Sequence, residues 1–358
     1  MSPVIQEARV GLLTYRLDRP MGGSGVSEVD LIVAELADAD GAPGFGFSYV
    51  ITGGGGFVAE RCAALAERFL KAKPLHPAPS HWREIAKSFN RTGLGPNLVA
   101  LAALDLALWD LNARRHGVSL AAEMGGKARA VPVYASGGFR PGMDPAEATD
   151  LATACVEAGM AGVKPRIEGR PSDAALIAAV ANAVSGRAWA MADMNEKGDL
   201  VRAQWALDLA RDHGLLFVEE PLPAADHEGL RGLASRAGPW IATGEHLQPV
   251  SAFADVARNR LASVLQPDLA MVGGMTPSLH VALMAEALGL QIMPHFLPGL
   301  YCHLASAVPS VTMLEDFPLL EPLFEGMPII ENGMVVPRDA AGHGLGLDPG
   351  RLTQITWL

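Results

Sequence analysis

The sequence has few cysteines and no long apolar run, and each absence excludes a class of protein. Its three cysteines, Cys62, Cys155 and Cys302, are odd in number and too far apart for a disulfide framework or a zinc cluster. They are expected to be buried or free thiols in a reducing compartment. No uninterrupted apolar stretch is long enough to span a membrane. The N-terminus also lacks the charged and apolar segments of an export signal. The sequence therefore predicts a cytoplasmic protein with no membrane partner.

Basic residues are also scarce. The formal net charge is −11, and no basic stripe runs along any segment, which argues against nucleic-acid partners and anionic membranes. Charged residues make up 19% of the chain and hydrophobic residues 49%, a balance typical of a compact globular protein. An acidic protein that binds an acidic small molecule needs local positive charge, which a metal ion would supply.

The pattern of apolar residues divides the chain into two main parts. Residues 1–125 contain strand-like runs (VGLLTYRL, DLIVAELADADG and FGFSYVI) followed by long helical stretches, which predicts an α+β region. From residue 126 to residue 320, β-rich runs alternate with Ala-rich amphipathic stretches, which predicts parallel βαβ units closed into a barrel. The tail from residue 321 to residue 358 is expected to leave the barrel and pack back on the N-terminal region.

Three acidic residues end three successive strand-like runs. Asp193 ends WAMADMN, Glu219 ends LLFVEEP and Glu245 ends WIATGEHL, each about 26 residues after the one before. In a parallel barrel, this spacing places them on one rim, where they would repel one another unless a cation neutralised them. Each acid alone could be a helix cap or a solvated carboxylate. Together they predict a site for one Mg²⁺, the ion that oxygen-only ligation favours. Glu220 is expected to point the opposite way from Glu219.

The next two strands carry a carboxylate and an imidazole. Asp268 lies near the end of SVLQPDLAM and His295 near the end of QIMPHF. A hydrogen bond between them would fix the histidine tautomer and raise its pKa, which suits a general base. His303 and His246 are the competing histidines.

Two cations and a further carboxylate complete the predicted site. Lys164 and Arg166, in VKPRI, alternate along one strand and therefore share a face, either in the barrel mouth or on the surface. Glu315, in MLED, is a candidate hydrogen-bonding partner for a substrate oxygen. Two glycine-rich loops, residues 19–27 and 52–56, either close over the substrate as a lid or are simple hairpin turns.

With these residues in order, the chain resembles the enolase superfamily, in particular the mandelate racemase subgroup of the mandelate racemase/muconate lactonizing enzyme family. The matching elements are VKPR, ADMN, VEEP, TGEH, QPDLAMVGG, MPHF and MLED. The resemblance implies a modified (β/α)7β barrel (126–320), an α+β capping domain (1–125) completed by the tail (321–358), and an assembly of identical chains. It also implies one Mg²⁺ that stabilises an enediolate.

One position departs from that family's pattern. The subgroup usually has a second lysine where this chain has Arg166, and that lysine is the base on one face of the substrate carbon. Arginine is effectively always protonated, so it is a poor base and a good clamp for a carboxylate or hydroxyl. We therefore expect Lys164, Asp268 and His295 to be the catalytic residues of an acid-sugar dehydratase that forms a 2-keto-3-deoxy acid. The expected substrate contacts are Arg166, Asn195, His246, Tyr301 and Glu315.

Other functions stay open at this point. A racemase or epimerase of the same family, or a cycloisomerase acting on a lactone, would use the same proton abstraction. A catalytically silent sugar-acid-binding protein would retain the fold without turnover. Metal hydrolases on similar barrels have a His-x-His on the first strand, which VPVYAS does not contain.

Overall fold

A computed structural model of the chain describes residues 3–51, 53–236 and 238–358. Thr52, the first residue of the second glycine-rich loop, lies outside the described residues. The N-terminal part begins with a three-stranded antiparallel meander against which helices pack. Its elements are β1 (Val4–Met21), β2 (Val26–Asp38), β3 (Pro43–Ile51), α1 (Gly55–Phe69), β4 (Lys73–Pro74), α2 (Ala78–Lys87), a 3₁₀ turn (Ser88–Arg91), α3 (Gly95–His116) and α4 (Leu120–Glu123).

Helix α3 is the central element of this part. It is 22 residues long, and the residues from Asn97 to Ala113 are buried. The meander covers one side of the helix and the second part of the chain covers another. Strand β3 packs directly on it. A Cβ at Gly46 would lie 2.2 Å from the Ala103 carbonyl oxygen and 2.3 Å from the Ala107 nitrogen, so only glycine allows this approach of two backbones.

The second part is a barrel of eight parallel strands, one of which is interrupted. The two strand sets meet through bridges between Arg166 and Asp193 and between Ile292 and Val311, and these close the barrel. The strands are β5 (Val131–Ala135), β6 (Gly162–Val163), the interrupted pair β7 (Trp189–Ala190) and β8 (Ala192–Asp193), β9 (Phe217–Glu219), β10 (Trp240–Thr243), β11 (Val264–Leu265), β12 (Gln291–Ile292) and β13 (Leu314–Asp316).

Helices follow every barrel strand except the last. They are α5 (Pro145–Glu157), α6 (Asp173–Val184), α7 (Leu200–Asp212), α8 (His227–Ala234), α9 (Val250–Arg258), the short α10 (Leu269–Val272) with α11 (Met275–Leu288), and α12 (Pro298–Ala307). Aspartate side chains cap the N-termini of α5, α7 and α8, which fixes where these helices begin. The (β/α)7β barrel with an N-terminal α+β region confirms the predicted fold class.

The tail returns to both earlier parts. It contains a 3₁₀ turn (Glu321–Leu323), β14 (Phe324–Glu325), β15 (Met334–Val335), β16 (Gly346–Leu347), α13 (Pro349–Leu352) and β17 (Thr356–Trp357). Strand β15 pairs with β5 of the barrel, and β17 pairs with β1 of the meander. These pairings support the proposed division of the chain at residues 125 and 320, which stays a proposal.

Two further predictions concern the chain as a whole. All three cysteines are free, with Cys62 and Cys302 buried, as their spacing predicts. No helix among the described residues is long and apolar enough to cross a membrane.

Candidate active site

The polar side chains of the candidate site lie one layer above the floor of the barrel. Successive residues of a strand alternate between its two faces, so residues two apart share the inward face. The floor is a small apolar cluster that includes Tyr134, Met191, Phe217, Val264, Met293 and Met313. Two positions further along the chain, at the ends of these strands or just after them, come Ser136, Asp193, Glu219, Gln266, His295 and Glu315. The strand pattern alone therefore brings these side chains together at the C-terminal mouth, where barrel active sites lie.

Lys164 is the central cation of the site and is fully buried. Its Nζ lies 2.5 Å from Glu219 Oε2, 2.8 Å from Glu315 Oε1 and 3.8 Å from Asp193 Oδ2. Burial acts to lower the pKa of Lys164, but the carboxylates of Glu219 and Glu315 outweigh it and raise that pKa. Burial likewise acts to raise the pKa of Glu315, and Lys164 lowers it to about 2. Lys164 therefore stays charged.

Arg166 is held by the protein on several sides. Its Nη1 forms an ion pair with Asp193 Oδ2 and lies 3.5 Å from Asn195 Oδ1, while Nη2 donates to Ser136 Oγ at 3.0 Å. Asn195 in turn donates to Asp193 through its backbone nitrogen (2.7 Å) and its side-chain amide (3.2 Å). The guanidinium, 4% exposed as a residue, is thus a fixed positive charge beside Asp193.

The residues present fit a hard divalent cation. The predicted ligands Asp193, Glu219 and Glu245 offer only oxygen, which Mg²⁺ prefers. Glu219 Oε1 is buried and has no hydrogen-bond partner among the residues that the structure describes. Its Oε2 accepts from Lys164 and from Gln266 Nε2 (2.7 Å). A buried carboxylate oxygen without a donor is costly unless a cation meets it.

The three predicted ligands do not themselves form the tightest acidic group. In the described part of the chain, the group of potential ligands whose atoms all lie within 4.8 Å of one another is Glu196, Glu220 and His246. Asp193 and Glu219 pair instead with the buried cations Arg166 and Lys164.

Glu220 points away from Glu219, as alternation along the strand predicts. The Glu220 carboxylate is buried, and His246 Nδ1 lies 3.1 Å from its Oε1. This hydrogen bond raises the pKa of His246 above its ordinary value. Glu196 accepts a hydrogen bond from the Ala224 backbone N–H at 2.6 Å. The acidic side chains of this group therefore already have hydrogen-bond partners within the protein. His246 Nε2 lies 3.8 Å from Glu245 Oε1, which places this histidine beside the third predicted ligand.

Asp268 and His295 are in contact. His295 Nδ1 lies 2.8 Å from Asp268 Oδ2, which places the ring proton on Nδ1 and leaves Nε2 available. Nε2 faces Glu245 Oε2 at 3.4 Å. Burial acts to lower the pKa of His295, but Glu245 and Asp268 raise it to about 10. A cation bound to Glu245 would offset the charge of that carboxylate and so favour the neutral, basic ring.

The other predicted residues lie deeper in the protein. Tyr301 is fully buried, and its hydroxyl donates to the Pro267 carbonyl oxygen at 3.1 Å. His303, a competitor for the base, is also buried. Its Nδ1 accepts from the Ala121 N–H and its Nε2 lies 3.2 Å from the His343 carbonyl oxygen, and burial lowers its pKa to about 4. Both of its ring nitrogens are therefore bound to backbone.

Besides Ser136, two further residues that the sequence did not predict contact the predicted ones. Gln266 donates to Glu219, and the hydroxyl of Tyr49, from strand β3, donates to Asp268 Oδ2. Gln266 stands just after β11 and two positions before Asp268, so alternation could have found it. No local signal identifies Tyr49, because its contact depends on how the two parts of the chain pack.

A cavity of about 240 Å³ opens beside His295. Its walls come from the barrel rim (Glu245, His246, Asp268, Met271) and from the N-terminal part (Tyr49, Val50, Ile51, Val99). Larger cavities lie at the barrel base, between the meander and the tail, and between the first glycine-rich loop and the segment after β5. None of these three is lined by a predicted metal ligand or by the Asp268–His295 pair. We therefore assign the 240 Å³ cavity as the entrance to the site.

The first glycine-rich loop also reaches the barrel mouth. It is the turn between β1 and β2, and Lys197 Nζ donates to the Gly23 carbonyl oxygen at 2.6 Å. A Cβ at Gly23 would lie 1.8 Å from Asn195 Oδ1, so the loop backbone contacts the residue that binds Asp193. The loop is thus a hairpin turn that covers one side of the site.

Comparison with known proteins places this geometry among enzymes. Residues 15–125 match the model for the mandelate racemase/muconate lactonizing enzyme N-terminal domain, and residues 147–351 match the enolase C-terminal domain-like model. An L-talarate/galactarate dehydratase of Salmonella typhimurium is 31% identical over 340 residues, which cover 92% of this chain and 84% of the relative.

Two more relatives show the range of reactions. A 3,6-anhydro-alpha-L-galactonate cycloisomerase of Streptomyces coelicolor is 29% identical over 97% of this chain and 96% of its own length. The crystal structure of an L-talarate dehydratase from Polaromonas sp., complexed with Mg and L-glucarate, superposes with a TM-score of 0.91 at 32% identity. It covers 100% of this chain and 99% of that one. These relatives confirm the predictions of a Mg²⁺ cofactor and of an enzyme, a lyase first and an isomerase second.

Proposed function

Because this chain belongs to the mandelate racemase/muconate lactonizing enzyme family of the enolase superfamily, we propose that it removes water from an acid sugar to form a 2-keto-3-deoxy acid. The reaction begins with loss of the proton next to a carboxylate. The proposal rests on the side chains at the barrel mouth, on Arg166 in particular, and on similarity to the two dehydratases above.

In this proposal, Asp193, Glu219 and Glu245 hold Mg²⁺. The bound ion supplies positive charge to the substrate carboxylate, which gains negative charge as the neighbouring proton leaves. Lys164, already fixed between Glu219 and Glu315, places an ammonium beside the same oxygens. Such preorganised charge is most effective where negative charge develops. The Glu315 Oε2 that accepts the Phe296 N–H at 3.1 Å keeps its carboxylate oriented.

His295 transfers the protons. Its Nε2 takes the proton from the carbon next to the carboxylate while Asp268 stabilises the ring cation through Nδ1. The electron pair left by the C–H bond expels the β-hydroxyl, which leaves as water with the proton from His295. The enol that remains tautomerises to the 2-keto acid. No net oxidation or reduction occurs.

The observation that favours dehydration over inversion of the substrate carbon is the presence of Arg166. Racemisation needs a second base on the opposite face of the carbon, and the family's second lysine is replaced by a guanidinium bonded to Asp193, Asn195 and Ser136. A permanently protonated group cannot accept the proton. Elimination of water needs only one base, and His295 can supply it. Arg166 and Asn195 are also our proposed contacts for a substrate hydroxyl or a distal carboxylate, and His246 is proposed at the cavity side.

Cycloisomerisation is the second candidate, because the Streptomyces coelicolor relative matches almost the whole chain. It would use the same proton abstraction and expel a ring oxygen of the substrate without loss of water. Arg166 opposes a racemase or epimerase, which would need a second base on the opposite face of the carbon. A silent binding protein is opposed by the intact Asp268–His295 pair and by the intact set of predicted metal ligands.

A panel of acid sugars with and without Mg²⁺ tests the proposal. It should include the sugars that the relatives act on or bind (L-talarate, galactarate, L-glucarate and the 3,6-anhydro-galactonate), and products should be identified by NMR. We expect a 2-keto-3-deoxy acid that disappears when Mg²⁺ is chelated. An isomeric product without water loss would favour cycloisomerisation, and recovered epimer would favour the racemase. Two expectations stay proposals: the cytoplasmic location, which the sequence predicts, and the assembly of identical chains, which the family resemblance implies.

A further inference from the structure

Tyr49 connects the N-terminal part to the Asp268–His295 pair. The Tyr49 side chain comes from strand β3, is 4% exposed, and its hydroxyl donates to Asp268 Oδ2. The same oxygen lies 2.8 Å from His295 Nδ1. Burial and the nearby Asp268 charge raise the pKa of Tyr49, so the phenol keeps the proton that it donates.

Both oxygens of Asp268 are held. Oδ1 accepts the Met271 backbone N–H at 2.9 Å and so caps the short helix α10. Oδ2 takes the Tyr49 hydroxyl and the His295 ring. A carboxylate is planar, so two fixed donors on different oxygens set the direction in which Oδ2 faces the imidazole. Met271 is one of these donors and belongs to the same helix turn as Asp268. Tyr49 is the other and comes from more than 200 residues away.

The tyrosine is itself held in position. Its ring packs on Phe296, with centroids 5.1 Å apart, and Phe296 packs edge-on against the His295 ring at 4.8 Å. The strand that carries it is pressed onto helix α3 at Gly46. Val50 and Ile51, the last two residues of β3, line the cavity. A displacement of this strand would therefore move the cavity wall and the Asp268 donor together.

We propose that Tyr49 is a positioning residue for proton transfer, and that its hydroxyl orients the Asp268 carboxylate toward His295. Docking of strand β3 thereby completes the cavity and aligns the base. The kinetic test of this role rests on the proposed function. The hydrogen bonds of Tyr49 and Asp268 do not depend on which acid sugar is bound. Tyr49 does not touch the substrate carbon in this account; it acts through Asp268.

The Tyr49→Phe variant removes only the hydroxyl. Loss of a hydrogen bond to a charged group is large enough that we expect kcat to fall about tenfold. We expect KM and the Mg²⁺ affinity to change less than about twofold, because Tyr49 acts on the proton-transfer step and not on binding. Ser48→Ala is the matched control. It removes a buried hydroxyl from the neighbouring position of the same strand, and this hydroxyl has no hydrogen-bond partner in the described part of the chain. The kcat of Ser48→Ala should therefore be unchanged.

A double-mutant cycle with Asp268→Asn distinguishes positioning from a general structural effect. If Tyr49 acts through Asp268, Tyr49→Phe should lower kcat no further in the Asp268→Asn protein. Full multiplication of the two losses, an effect confined to KM, or an unchanged kcat in Tyr49→Phe would each overturn the proposal.

A substrate-free measurement keeps this test separate from the proposed function. The Nδ1–H proton of His295 should give a low-field NMR resonance, assigned by its loss in His295→Asn. We expect Tyr49→Phe to shift it and Ser48→Ala to leave it in place. The resonance test stands even if no acid sugar is turned over, whereas an identical resonance in wild type and Tyr49→Phe would refute the positioning role.

Discussion

Replacement of Lys164 by methionine would remove a buried cation that three carboxylates share. Its Nζ lies within 4 Å of Glu219, Glu315 and Asp193, and all four side chains are at most 1% exposed. Removal of one partner from a buried ion pair costs about 3–5 kcal/mol, because the other charge is left uncompensated. Without metal, we expect Lys164→Met to lower the free energy of unfolding by about that amount.

Urea denaturation followed by circular dichroism measures this loss directly. Lys71→Met is the matched control, because the same substitution there breaks a 2.7 Å ion pair with Glu67 whose side chains are 48% and 67% exposed. A surface pair contributes at most about 1 kcal/mol. Saturating Mg²⁺ should stabilise Lys164→Met more than wild type, since the ion supplies the missing charge to the same carboxylates.

Two results would refute this reasoning. One is a loss of stability in Lys164→Met no larger than in Lys71→Met. The other is a difference between Lys164→Met and wild type that Mg²⁺ leaves unchanged, because the carboxylates around Lys164 would then not be the ones that bind the ion.

Three shorter predictions each concern one residue of the core or of the candidate site. His303 has its folded pKa lowered to about 4 from 6.5, so it contributes stability above pH 6.5 that is lost as the pH falls toward 4. The free energy of unfolding should drop by up to about 3 kcal/mol over that window. Urea titrations at several pH values measure it, and the free energy of unfolding should fall more steeply with decreasing pH in wild type than in His303→Asn. An equal pH dependence in the two proteins would contradict the prediction. Gly46→Ala should cost about 1–3 kcal/mol because its Cβ meets helix backbone, whereas Gly232→Ala, whose Cβ would meet open space, should be neutral or stabilising in thermal unfolding. Gln266→Leu should weaken Mg²⁺ binding about 10- to 100-fold by releasing the Glu219 carboxylate, and calorimetry showing wild-type affinity would exclude that role.

Much of the candidate site could be predicted because it follows from strand alternation and chain order. Asp193, Glu219 and His295 each stand at a strand end, and a parallel barrel places strand ends together. Asp268 shows how two interpretations of one acid can both hold, since one of its oxygens caps a helix and the other meets His295.

The rest depended on contacts between distant segments. Tyr49 reaches Asp268 only because β3 packs tightly on α3, and no spacing in the sequence encodes that approach. Arg166 could be identified as a poor base from its chemistry, but its bonds to Ser136 and Asn195 come from neighbouring strands. The pairing of Glu220 with His246 likewise required the loop geometry after each strand, where Glu220 adopts a positive φ of 43°.

The most direct test of the central claim, that His295 alone abstracts the proton and that water is then lost, is turnover of an acid sugar in D₂O with Mg²⁺. Wild type should yield a 2-keto-3-deoxy acid, and NMR of the remaining substrate should show no inverted, deuterated epimer. His295→Asn should form no product while it still binds Mg²⁺. Deuterium in recovered, inverted substrate, or undiminished product formation by His295→Asn, would contradict the account.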